Sequence, residues 1–138
     1  MISHVYFVWI MTQSQSKAVL LAAAAFNITG GLAVIFLLDL LAPAVGIANP
    51  ATNMLFRLFV GGTAVTFGLM YQAAARAKSL RATVLLFGTG LKFWAFVAAL
   101  VSYLFYDLSA TVFLLFGVTN LLFAGLFTAI LTGGSSKG

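Results

Sequence analysis

The sequence predicts an all-α integral membrane protein, a four-helix bundle with both termini in the cytoplasm. Three observations carry that expectation. Of the 138 residues, 63% are hydrophobic and 7% charged, with a mean hydropathy of +1.14; in a soluble domain roughly a quarter would be charged. Apolar runs of bilayer-crossing length follow one another with short breaks between them. The basic residues gather on one side of those runs, with Arg76, Lys78 and Arg81 between the second and third, Lys17 before the first and Lys137 after the last.

Taken in order, residues 1–16 form a short N-terminal segment. Ile2 to Met11 is apolar and aromatic, too short to span, and lacks the basic start of a signal peptide. Tyr6 and Trp9 would anchor it at the interface; equally, residues 1–10 would be an extension ahead of a start at Met11. The first crossing is expected over 18–41, where Pro43 stops it. The stretch 42–53 holds Pro43, Gly46, Asn49, Pro50 and Asn53 and reads as a loop. The second, third and fourth crossings are expected over 54–75, 82–106 and 109–131, followed by a polar tail at 132–138, so that residues 1–138 make one transmembrane domain. The loops at 42–53 and 107–108 contain no lysine or arginine. The positive-inside rule therefore places the termini and the middle loop in the cytoplasm, and Asp39, Tyr103, Tyr106 and Asp107 at the outer face. The repeat of Leu85-Leu86-Phe87-Gly88 as Leu114-Leu115-Phe116-Gly117 is too short and apolar to argue for a duplicated hairpin.

Composition also excludes chemistry. Without cysteine there is no disulfide, thioether-bound haem, iron–sulfur cluster or thiol catalysis. His4 is the sole histidine, which leaves no basis for a protein-built transition-metal site. The net charge of +5 is scattered and reads as topology and contact with anionic lipid headgroups, not nucleic-acid binding. Gly30-Gly31, Gly61-Gly62 and Gly88-Thr89-Gly90 lie inside apolar runs and read as packing positions, not phosphate cradles. No catalytic constellation is present and no cofactor is expected. The missing intramembrane carboxylate also argues against proton-coupled antiport.

Lys92 is the residue that stands out. It is equidistant from Arg81 and Tyr103, roughly 16 Å from each at the helical rise. That places its amine near the centre of the hydrocarbon layer, at a cost of a few kcal/mol or more unless it faces protein or water. A snorkelling stem would reach only part of the way out, so partial water access or a neutral amine is expected. Asn27, Thr63 and Asn120 fall at similar depths in the other crossings, and together with Lys92 they are predicted to form a buried polar layer. Helical spacing supports inward stripes of small and polar residues: Ala23, Asn27 and Gly31; Arg57, Gly61, Ala64, Gly68 and Gln72; Gly88, Lys92, Ala95, Ala99 and Tyr103; Gly117, Asn120, Ala124 and Thr128. Phenylalanines and leucines fall mostly off those stripes, toward lipid. Asparagine and threonine in such positions serve equally as interhelical glue; a charge is not needed for that. Asp39 and Arg57, at the outer ends of the first two crossings, form an expected ion pair that either fixes the hairpin or acts as a gate or headgroup contact.

Phe26-Asn27-Ile28-Thr29-Gly30-Gly31, Arg57-Leu58-Phe59-Val60-Gly61-Gly62 and Gly88-Thr89-Gly90-Leu91-Lys92 resemble segments of small four-span bacterial inner-membrane proteins of the DoxX-like kind. The resemblance runs from Phe26 to Thr132. It implies an accessory role in a respiratory or redox membrane complex and carries no catalytic residue. The expectation from residues and resemblance together is a non-catalytic inner-membrane protein. It would act as an accessory subunit, or bind a hydrophobic or anionic amphipathic ligand of lipid or quinone type near Lys92. Its partners would be membrane lipids, further copies of itself or other membrane subunits. The alternative is a small oligomeric transporter or channel lined by Lys92, Asn27 and Asn120.

Overall fold

The structure, a computed structural model, describes residues 11–47 and 54–134. The expectations placed on His4, Tyr6, Trp9, Asn49, Pro50, Asn53 and Lys137 lie outside the described residues. Every regular element among the described residues is helical, and four helical segments are long and apolar enough to cross a membrane.

Helix α1 spans Gln13–Phe36. It starts ahead of the expected residue 18 because Thr12-Ser14-Gln15 holds a capping box. Gln15 N donates to Thr12 Oγ1 at 3.2 Å and Thr12 N donates to Gln15 Oε1 at 2.8 Å, which satisfies amide groups that an uncapped start would strand. At the other end Leu37 leaves helical geometry (φ −119°, ψ 4°). The chain continues as the single turn α2, Leu38–Leu41, and a 3₁₀ turn, Pro43–Val45, closed by Gly46 at φ 81°. The helix of the first crossing is thus Gln13–Phe36, with Asp39 beyond its end.

Helix α3 spans Met54–Arg76 and α4 spans Lys78–Phe105. Arg81 joins them by donating to the carbonyls of Ala74 (3.2 Å) and Ala75 (3.3 Å), so one of the loop's basic residues also caps the end of α3. The last crossing is composite. Ser109 caps α5, Ala110–Val112; a π-helical segment, Phe113–Val118, follows; and α6 runs over Thr119–Gly134.

These crossings pack as two tight pairs, α1 with α3 and α4 with the composite crossing, and the pairs meet each other less extensively. Glycine explains the first pair. A Cβ at Gly31 would lie 2.5 Å from the Gly61 carbonyl oxygen, and one at Gly68 would lie 3.0 Å from the Ala24 carbonyl oxygen. Only bare backbone permits that approach, which is how small residues drive helix association where no hydrophobic effect operates. In the second pair a Cβ at Gly117 would lie 2.9 Å from the Ala99 Cβ.

The pairs are sealed together at one end only. Leu20, Ala23 and Ala24 of α1, Tyr71, Ala74 and Ala75 of α3, Val84 and Leu85 of α4, and Phe127 and Ile130 of α6 form one buried cluster. All lie toward the end that carries Arg76, Lys78 and Arg81, called here the basic end. Phe36, Phe59, Phe87, Trp94 and Phe105 are exposed, as befits side chains solvated by hydrocarbon. Leu20, Leu85 and Phe127 are exceptions to the lipid-facing leucines and phenylalanines, and with Tyr71 they are at most 1% exposed. They fill the gap that small residues leave between one pair and the other.

Gly61→Leu is expected to lower bundle stability by about 1–3 kcal/mol or more, because its side chain must displace α1 backbone. Gly62→Leu, at a position with nothing within 4 Å, is expected to cost far less. Unfolding of both variants in bicelles or nanodiscs checks the contrast.

Candidate functional site

Lys92 lies midway along α4 and is 2% exposed. It does not snorkel to the interface: the amine finds its surroundings inside the bundle. Its Nζ donates to Asn27 Oδ1 at 2.5 Å. It also lies over the rings of Phe26 (5.1 Å to the centroid), Phe123 (5.3 Å) and Tyr71 (5.7 Å). Rings from α1, α3 and α6 therefore wall the amine of α4, within the range of cation–π attraction.

The Asn27 amide is oriented by its partner. Lysine has only donors, so Asn27 must turn its oxygen to Lys92 and its NH₂ group away. That nitrogen makes no hydrogen bond to a described residue, and Asn27 borders a cavity of about 430 Å³.

The cavity occupies the half of the bundle away from the basic end. Its walls come from Phe26, Gly30 and Val34 of α1, Val60, Thr63, Ala64 and Phe67 of α3, Leu91 and Ala95 of α4, and Val112, Leu115 and Phe116 of the composite crossing. Val45 and Ile47 of the α1–α3 connection lie over it. Asn27 and Thr63 are the only polar residues in that lining. The size lies within the roughly 300–1,000 Å³ usual for small-molecule sites. The cavity is half-enclosed and includes residues exposed on the bundle side, among them Gly30, Thr63, Leu115 and Phe116. Toward the basic end it stops at the packed layer of Leu20, Tyr71, Leu85 and Phe127.

Two ties hold the far end together. Arg57 grips Asp39 with two hydrogen bonds, Nη1 to Oδ2 at 2.8 Å and Nη2 to Oδ1 at 2.5 Å. Arg57 is buried and Asp39 exposed, and the guanidinium hydrogen-bonded to it holds the Asp39 carboxyl below the usual carboxylate range. Ser109 donates from Oγ to the Val45 carbonyl at 2.5 Å, linking the loop over the cavity to the start of the composite crossing.

The structure brings Lys92 and Asn27 together, and Asp39 and Arg57 together. It does not assemble the four-residue polar layer. Thr63 is exposed, borders the cavity, and donates to the Phe59 carbonyl at 2.7 Å. Asn120 is buried, yet its Nδ2 donates to the Phe116 carbonyl at 2.7 Å. The reason is local: a side chain in reach of its own helix's carbonyl is satisfied without crossing the bundle. The π-helical segment ends just before Asn120 and includes that acceptor, Phe116. Tyr103 and Thr128, assigned to inward stripes, are exposed, and Tyr103 instead stacks on Phe113 at 4.8 Å.

Sequence reasoning missed the rings. Phe26, Tyr71 and Phe123 surround Lys92, but they sit among 14 phenylalanines and four tyrosines. Position gave no signal for Tyr71, which lies four residues before the expected end of the second crossing. Its hydroxyl is buried and has no hydrogen-bond partner among the described residues.

No protein-family model, curated protein or solved structure matches the chain.

Opposite signs are expected from two substitutions at this site. Tyr71→Phe removes a buried hydroxyl without a partner and keeps the ring, and should stabilise the bundle by about 1–2 kcal/mol. Asn27→Ala removes the acceptor of Lys92 and should destabilise it by about 1–3 kcal/mol. Reversible unfolding in bicelles measures both.

Proposed function

We propose that this is a non-catalytic protein of the bacterial inner membrane that holds one amphipathic molecule, of lipid or quinone type, between its two helix pairs. The apolar part of the ligand fills the cavity beside Gly30, Ala64 and Ala95, and a hydrogen-bond acceptor on it meets the Asn27 amide. The observation that carries this reading is an almost wholly apolar cavity of about 430 Å³ bordered by Asn27, whose oxygen is held by Lys92. A cavity lined by hydrocarbon and one or two placed polar groups binds by apolar fill and is made selective by the polar contact.

The basic end faces the cytoplasm in this reading, because Arg76, Lys78 and Arg81 cluster there. The cavity then sits in the outer half of the bilayer, where a lipid-soluble molecule reaches it from the side without crossing water. The accessory role implied by the DoxX-like resemblance is compatible with this: a ligand carrier within a larger membrane assembly or a homo-oligomer. A through-path lined by Lys92, Asn27 and Asn120 has less support, since Asn120 is engaged with its own helix and Leu20, Tyr71, Leu85 and Phe127 fill the bundle at the basic end.

Native mass spectrometry of the protein released from nanodiscs tests the reading. Wild type is expected to carry a retained hydrophobic molecule. Gly30→Phe places a ring in the cavity at a position with nothing within 4 Å, and should abolish retention while the melting temperature holds. Equal retention by both proteins would refute cavity binding.

A further inference from the structure

The surroundings of Lys92 contain no counter-charge. The whole chain has two acidic residues. Asp39 is engaged by Arg57 beyond the end of α1, and Asp107 is exposed in the turn after α4. What surrounds the amine is one amide oxygen and three ring faces. Ring quadrupoles lower the energy of an ammonium without neutralising it. As an ammonium it would have no compensating charge in reach, so an anion brought beside it in this low-dielectric interior would favour the charged form of the amine.

Asn27 passes that charge to the cavity. Its oxygen accepts from Lys92, which polarises the amide and strengthens its N–H groups as donors. Asn27 borders the cavity and its oxygen is the atom turned to Lys92, which leaves its N–H groups for a ligand there. A neutral acceptor there gains one hydrogen bond. An anionic oxygen gains that bond and the attraction of an ammonium a few ångströms behind it, the compensation the protein itself does not supply.

We propose that the site selects an anion, a single-chain hydrocarbon carboxylate whose head accepts from the Asn27 amide with Lys92 as its counter-ion. This rests on the cavity being the ligand site. Size favours a small head: Asn27 is 8% exposed, and the cavity around it is lined by apolar side chains that offer a bulky phosphate head no further donor than the Thr63 hydroxyl.

The test uses the full-length protein in nanodiscs with dodecanoate, dodecanol and dodecyl phosphate as probes, and counts bound probe by native mass spectrometry. Wild type is expected to prefer dodecanoate to dodecanol about tenfold or more, which is the scale of one charge-assisted contact. Lys92→Met should bring that preference close to unity. Asn27→Asp keeps an acceptor for Lys92 but puts a carboxylate where the ligand's would sit. It should lose more dodecanoate than dodecanol, and it guards against a misfolded Lys92→Met. Equal binding of acid and alcohol, or a preference that survives both substitutions, would overturn the anion assignment and leave cavity binding standing. Dodecyl phosphate binding above dodecanoate would overturn the carboxylate. Failure of all three probes in wild type, or dodecanol occupancy unaffected by Gly30→Phe, would overturn cavity binding itself.

Discussion

An amine at the middle of a hydrocarbon-embedded helix must find its solvation within the protein, and the arrangement of this bundle follows from how Lys92 finds it. The stem is too short to reach water from midway along α4. The four groups nearest its head come from every other crossing: Asn27 and Phe26 from α1, Tyr71 from α3 and Phe123 from the composite crossing. One side chain thus fixes the relative rotation of all the crossings. A helix turned by a single residue would take its contribution out of reach and leave a polar group facing lipid.

On either side of this level the bundle behaves differently. Toward the basic end, large side chains from both pairs interdigitate, with Tyr71 and Phe127 edge to face at 5.1 Å. Toward the other end, small residues draw the helices together within each pair, Gly31 to Gly61 and Gly117 to Ala99, while the close glycine approach between the pairs there is at the margin, Gly46 to Ser109. The space between them is half-enclosed, and at its margin Ser109 ties the loop bearing Val45 to the composite crossing. The π-helical segment over Phe113–Val118 borders the same space. Leu115 and Phe116 of that segment line the cavity, and such a local departure from α geometry recurs at functional sites. Packing, cavity and charge are then parts of one arrangement, with Asn27 belonging to all three.

Much of this was legible in the chain. Runs of apolar residues at bilayer length can only be helices, because each backbone amide must be paired within its own segment, and so the number and order of crossings followed from composition and length. Lys92 was conspicuous by depth alone, and the Asp39–Arg57 pair by the shortness of the hairpin between them. The boundary of α1 was also written in the sequence, as the capping box at Thr12, and was missed because a window of hydropathy looks past polar residues.

Tertiary structure alone decided which polar residues meet. Asn27, Thr63 and Asn120 are equivalent by depth and spacing, yet one bonds Lys92 and the other two bond their own helices. That choice depends on rotation and separation of helices to within an ångström or two, and depth in a sequence has no such resolution. The aromatic walls and the cavity were hidden for the same reason. In a water-soluble protein, hydrophobic periodicity marks the inward face of a helix. In a membrane bundle both faces are apolar, so the sequence determines that these helices cross and where their charges lie, while only close packing of side chains decides which phenylalanine meets lipid and which meets Lys92.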